Sequence, residues 1–202
     1  MKSIYLITRL NSDDAKLIDN LERLLKYYEI YALQLYDFNG EPSEHISKVK
    51  EICAKNNVPL FIGDDWKTAL ELEFDGVHYE EIPGNILEIK QKNKNLRIGI
   101  TTGNDMEKIK AAEKIGADYI SFCSIFPSKT ANSCEFVNLD SVQKSKNHFS
   151  GKIFLAGGIT PENIHQLSGL PYDGIAVVSG IFSADDPEKS LIQYLEKIKI
   201  LS

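Results

Sequence analysis

Along the chain, short runs of apolar, β-branched and aromatic residues alternate with longer stretches whose apolar residues recur every three or four positions. The runs cover residues 3–8, 31–36, 59–62, 74–78, 97–101, 118–123, 152–156 and 173–178. Each has the length and composition of a buried strand. Between them, Leu17, Leu21, Leu24, Leu25 and Tyr28 share one helical face, as do Leu191, Tyr194, Leu195, Ile198 and Leu201. Helix starts are marked as well. Thr160-Pro161 and Asp186-Pro187 each set a capping oxygen before a first-turn proline, and Asn104-Asp105 can cap the fifth helix. Three strands open alike, on Phe74-Asp75-Gly76-Val77, Ala117-Asp118-Tyr119-Ile120 and Tyr172-Asp173-Gly174-Ile175, a weak internal repeat of a helix-to-strand turn.

Strict alternation of strand and helix predicts right-handed crossovers and a parallel sheet buried on both sides. Eight such units in 202 residues predict one α/β domain over the whole chain, a compact (β/α)8 TIM barrel. An open doubly wound sheet would need fewer units and a glycine-rich turn after the first strand. That turn reads Thr8-Arg9-Leu10-Asn11, which favours the closed barrel.

Composition narrows the class. The apolar fraction of 43% is that of an ordinary soluble protein, and no stretch approaches the length of a membrane span. The first residues run straight into Ile4-Tyr5-Leu6-Ile7 and read as a strand, not a signal peptide. Cys53, Cys123 and Cys134 are odd in number and widely spaced, which disfavours a disulfide framework or zinc site and suits a reducing cytoplasm. A net charge of −6 argues against general affinity for nucleic acid or anionic membranes. Any phosphate must therefore be held locally.

In a barrel, chemistry gathers where strands end and helices begin. Strand seven runs into Ala156-Gly157-Gly158-Ile159, where paired glycines let backbone approach an anion. Strand eight runs into Val178-Ser179-Gly180-Ile181, a short segment ahead of the helix near Asp186. A short extra helix there, with its amides outward, is a phosphate site. The bland reading is a tight turn at the first junction and a helix cap at the second; finding both side by side favours the phosphate. After strand six, residues 126–133 carry Ser128, Lys129, Thr130 and Ser133, either a second anion contact or a solvated loop. After strand three, Asp64 and Asp65 can hold magnesium, although a helix cap at Asp65 with a solvated Asp64 fits the spacing better. His78, at the end of strand four, can be an acid, a base or a hydrogen-bonded core residue, the last being commonest.

Taken in order, Asp75-Gly76-Val77-His78, Ala117-Asp118-Tyr119-Ile120, Ile125-Phe126-Pro127-Ser128, Gly157-Gly158-Ile159-Thr160-Pro161 and Asp173–Ile181 resemble the thiamin phosphate synthase and TenI family over essentially the whole chain. The resemblance implies a single-domain barrel. The family's synthases join hydroxymethylpyrimidine pyrophosphate to thiazole phosphate, releasing pyrophosphate with magnesium, and its TenI branch includes thiazole phosphate tautomerases. By the same resemblance, Gly158, Val178 and Ser179 hold the thiazole phosphate, beside Gly157 and Gly180. Gln34 matches the pyrimidine-side glutamine; Thr101, Ser128 and Thr130 match hydroxyl-bearing ligand positions; Asp64 matches one of two magnesium carboxylates. The expected partner is a small phosphorylated ligand, with self-association left open.

The departures are as specific as the matches. The synthases' glutamine-x-arginine-x-lysine becomes Gln34-Leu35-Tyr36-Asp37-Phe38, the asparagine before Asp64 is Gly63, the second magnesium carboxylate falls at Pro83, and the lysine after the strand-six hydroxyls falls at Ala131. At roughly 1.5–3 kcal/mol per charge-assisted contact, losing three cations and a metal ligand predicts pyrophosphate expulsion slowed by several orders of magnitude. Lys129 and Arg9 are the candidate replacements. The histidine used by TenI tautomerases aligns with Ser124, which cannot shuttle a proton near neutrality; His78 and Lys129 are the other weak catalytic candidates. Three alternatives to a synthase-like enzyme therefore stand: a tautomerase, a non-catalytic binder of a phosphate ligand, and another phosphosugar-type barrel enzyme.

Overall fold

The computed structural model describes residues 2–10, 15–38, 43–128 and 135–201. Eight parallel strands close into a barrel in sequence order: β1 (Ser3–Thr8), β2 (Ile30–Leu35), β3 (Leu60–Gly63), β4 (Gly76–Tyr79), β5 (Arg97–Thr101), β6 (Tyr119–Phe122), β7 (Lys152–Ala156) and β8 (Gly174–Val177). β8 returns to pair with β1 in the register Ser3↔Gly174 to Leu6↔Val177. The helices are α1 (Ala15–Tyr27), α2 (Glu44–Lys55), α3 (Trp66–Glu71), α4 (Ile86–Lys92), α5 (Met106–Lys114), α6 (Leu139–Ser145), α7 (Ser179–Phe182) and α8 (Pro187–Ile200). The expected single (β/α)8 barrel is the observed architecture, with strand ends displaced by at most two residues from the hydrophobic runs.

Two cores divide the apolar residues. The larger lies between strands and helices, where α1 buries Leu17, Ile18, Leu21, Leu24 and Leu25 and α8 buries Leu191, Tyr194 and Ile198. The smaller, of Tyr5, Ala32, Phe61, Tyr119, Phe154 and Ala176, is the barrel interior. Strands β1 and β6 are not neighbours, yet the rings of Tyr5 and Tyr119 lie 5.4 Å apart and edge-on, which only the inside of the barrel permits. Glycines make room for these rings. A methyl group on Gly76, Gly99 or Gly174 would overlap the ring of Phe61, Tyr119 or Phe154, respectively, so large and small residues interlock between adjacent strands.

The repeated Asp openings have a common cause. Asp75, Asp118 and Asp173 each accept the backbone N–H of the preceding strand's start, from Leu60 at 2.7 Å, Ile98 at 2.7 Å and Ile153 at 2.9 Å. Each Asp N–H in turn donates to the carbonyl of that same residue at 2.8 Å. These two-point clamps tie β3 to β4, β5 to β6 and β7 to β8 at the face opposite the strand ends.

The expected capping by Asp105, Asp186 and Asp65 is present: each carboxylate accepts first-turn amides of α5, α8 and α3. Thr160-Pro161 corrects the expectation of a seventh full helix. Asn163 accepts the Thr160 N–H at 2.8 Å and donates to the Gly158 carbonyl at 2.8 Å, folding the segment into turns that lead only to a 3-10 helix at Ile164–Leu167.

Candidate functional site

The strand ends enclose a cavity of about 210 Å³ lined by Tyr5, Ile7, Gln34, Tyr36, His78, Glu80, Thr101, Tyr119, Ser121, Cys123, Ala156, Gly157, Ala176 and Val178. Ile7, Tyr36 and Val178 also border an adjoining groove of about 300 Å³, which carries Arg9, Lys16, Asn20, Ser179 and Ser183. Two compartments thus meet at one mouth, one inside the barrel and a more cationic one beside α7.

At the α7 end, β8 stops at Val177 and the chain turns into a one-turn helix starting at Ser179. Its N-cap residue, Val178, contributes no side-chain cap, and Ser179 is exposed on the groove. The first-turn amides of a helix are donors without intrahelical acceptors. Gly180 sits where a methyl would overlap the Tyr194 hydroxyl, and its carbonyl accepts the Ser190 hydroxyl at 2.6 Å, so α7 is pinned onto α8. Gly157 and Gly158 adopt φ of 85° and 65°, a conformation that disfavours any side chain. A methyl on Gly157 would overlap Ser124, and one on Gly158 the Phe126 and Pro127 carbonyls. The glycine pair is therefore both a tight turn and a close packing surface, with Gly157 on the cavity.

The polar groups of the cavity are linked. Tyr5 donates to Gln34 Oε1 at 3.1 Å and shares a 2.7 Å hydrogen bond with Tyr119. The Tyr119 hydroxyl meets His78 Nδ1 at 2.8 Å, His78 Nε2 meets the Thr101 hydroxyl at 2.8 Å, and Thr101 meets Ser121 at 3.2 Å. Burial, and then the charge of Lys108, push the His78 pKa down to about 4, which leaves the imidazole neutral at ordinary pH. Burial likewise raises the Tyr5 and Tyr119 hydroxyls far above the usual phenol range, so both keep their protons.

The predicted residues separate accordingly. Gln34, His78, Thr101, Gly157 and Val178 line the cavity; Ser179 lines the groove, with Gly158 and Gly180 packed behind. Ser124 is 1% exposed and donates to the Phe126 carbonyl at 2.7 Å, within the loop that packs on Gly157. Ser128 follows that loop and does not reach the cavity lining. Lys129, Thr130 and Ala131 lie outside the described residues. Asp64 is exposed at the rim, where its Oδ1 accepts the Glu80 N–H at 3.0 Å. Arg9 forms an ion pair with Asp37 and lies 5.0 Å from the Tyr36 ring, so its charge is already shared at the mouth. Of the two aromatics replacing clamp cations, Tyr36 faces the cavity, whereas Phe38 packs toward Phe74 with ring centroids 6.2 Å apart.

Sequence reading missed Tyr5, Glu80, Tyr119, Ser121 and Cys123 as cavity residues. The signal was present in Tyr119-Ile120-Ser121-Phe122-Cys123, because strand alternation sends the first, third and fifth side chains to one face. With Tyr119 inside, the two polar residues above it also face inward.

The thiamine monophosphate synthase family matches residues 4–181. A thiamine-phosphate synthase of Thermoplasma acidophilum is 36% identical over 71% of this chain and 67% of its own length. One from Methanobrevibacter smithii is 30% identical over 98% of this chain and 95% of its own length. Among solved structures, a thiamine phosphate pyrophosphorylase from Pyrococcus furiosus superposes with a TM-score of 0.78 at 23% identity, covering 98% of this chain and 96% of that one. The 3-keto-L-gulonate-6-phosphate decarboxylase of Vibrio cholerae reaches 0.72 at 16% identity, with each chain covered in full. At these identities the structural likeness is one of fold.

Proposed function

The chain belongs to the thiamine monophosphate synthase family, and from that premise we propose that it binds thiazole phosphate at the strand ends. In this reading the phosphate lies in the groove at Ser179 and the ring reaches into the cavity. The observation that carries it is the α7 N-terminus: its cap residue Val178 adds no side-chain cap and lines the cavity together with Gly157, and Ser179 lies on a groove that also carries Lys16. Helix-start amides and a nearby ammonium favour a phosphate dianion.

Gln34, Thr101 and the neutral His78 would contact a second ring, that of hydroxymethylpyrimidine pyrophosphate. The proposed reaction is the family's coupling, in which the pyrimidine's methylene carbon bonds to the thiazole nitrogen as its bond to pyrophosphate breaks, slowed by the weakened clamp. Tyr36 replaces a cation with a ring, and Arg9 is paired with Asp37 in an exposed ion pair. Magnesium would be held by Asp64 together with oxygens of the substrate, as this ion usually is. Asp64 is exposed and one of its oxygens is taken by the Glu80 amide; among the described residues no cluster of three or more histidines, cysteines or carboxylates forms a self-sufficient metal site. When bound, the ion would neutralise charge on the departing pyrophosphate.

Titration calorimetry with thiazole phosphate tests the binding. Ser179→Asp places a carboxylate where the phosphate would lie, while an acid at a helix start does not weaken the helix. Affinity should fall about tenfold or more with an unchanged melting temperature; equal affinity in the two proteins would remove the phosphate from α7. Pyrophosphate release from both substrates with magnesium tests the reaction, and a rate equal to the protein-free background would leave a binder without turnover.

A further inference from the structure

A barrel interior otherwise filled by rings is crossed by six polar side chains joined end to end: Ser121, Thr101, His78, Tyr119, Tyr5 and Gln34. With Gln34 Oε1 facing Tyr5, their hydrogen bonds have one consistent direction. Gln34 Oε1 can only accept, so Tyr5 gives its single proton to Gln34. Tyr5 must then accept from Tyr119 in the 2.7 Å contact. Tyr119, its proton spent, accepts from His78, which places the imidazole proton on Nδ1. In a neutral ring Nε2 is then an acceptor, so Thr101 donates to it and takes its own hydrogen bond from Ser121. Every proton points toward Gln34. Turning the Gln34 amide over would present a donor to Tyr5 and, with every proton kept within the relay, would reverse all five bonds together.

We infer that these six side chains act as one directional relay in which His78 is a positioning residue, coupling the donor that Gln34 shows to the cavity with the acceptor that Thr101 shows to it. A ring that accepts at Gln34 and donates at Thr101 fits one direction; a ring of opposite polarity fits the other. The relay thereby selects a heteroaromatic ligand by its pattern of ring nitrogens and amino groups, independently of the phosphate end. Its role toward a ligand rests on the reading that a ring-bearing substrate enters the cavity. The direction of the bonds does not.

Nitrogen-15 spectra of His78 in the ligand-free protein test the relay. The expected result is a neutral ring protonated on Nδ1; an even mixture of tautomers overturns the relay, and an Nε2–H ring overturns the direction assigned to it. Tyr119→Phe keeps the ring and removes the junction, so His78 should lose its tautomer preference. Tyr5→Phe breaks the relay one step further on and serves if Tyr119→Phe fails to fold. Gln34→Glu, whose carboxylate only accepts, should retain the Nδ1 proton. For binding, Tyr119→Phe should weaken hydroxymethylpyrimidine pyrophosphate about tenfold and leave inorganic phosphate unchanged. Equal weakening of both probes would make the effect merely structural and sink the selective role. If the unaltered protein binds neither probe, the proposed function fails, while the tautomer still decides the relay.

Discussion

His78 has both ring nitrogens hydrogen-bonded, to a tyrosine and a threonine, and this sets how the molecule responds to acid. Burial and Lys108 lower its pKa from 6.5 to about 4. Between those values the unfolded chain takes up a proton that the folded chain refuses, so stability falls as pH drops through this window and is fully regained above it. The difference corresponds to about 3 kcal/mol. In urea titrations His78→Gln should flatten that part of the pH–stability curve relative to the unaltered protein; superimposable slopes would mean the imidazole titrates normally. From the sequence, His78 had three possible roles, a hydrogen-bonded core residue being the commonest, since a histidine at a strand end does not declare its partners. Those partners, Tyr119 and Thr101, come from strands 41 and 23 residues away along the chain, and only barrel closure brings them together.

Among elements, strands and capped helices were legible because each is written in local chemistry: apolar runs for β1 to β8, and Asp65, Asp105 and Asp186 for helix starts. The segment after β7 was misread because Thr160-Pro161 is a valid helix start whose continuation is overridden by the Asn163 side chain. The phosphate end of the site was legible because Gly157-Gly158 and Ser179-Gly180 follow their strands directly. The interior was not, since the pairing of Gly99 with Tyr119 is visible only across adjacent strands. That pairing makes a definite expectation. Gly99→Ala drives a methyl into the Tyr119 ring and should cost about 3 kcal/mol of unfolding free energy, with the His78 tautomer disturbed as well. A loss no larger than that of an exposed glycine would show the interior to be loosely packed.

For the molecule as a whole, family membership and barrel closure settle the scaffold, and the departures at Tyr36, Phe38, Gly63 and Pro83 set apart what is proposed for this chain. No helix among the described residues is long and apolar enough to cross a membrane. The Asp75, Asp118 and Asp173 clamps give the closed barrel an uneven grain. They bind strands in consecutive pairs whose clamped residues are only 15 to 20 positions apart, and among the described residues no such carboxylate spans β4 to β5 or β6 to β7. The barrel should therefore breathe along those unclamped seams before it unfolds globally. Native-state hydrogen exchange should find the Arg97 and Lys152 amides, which cross the seams to the Asp75 and Asp118 carbonyls, opening ahead of the clamped amides of Ile98 and Ile153. The reverse order would mean that the barrel opens within its pairs.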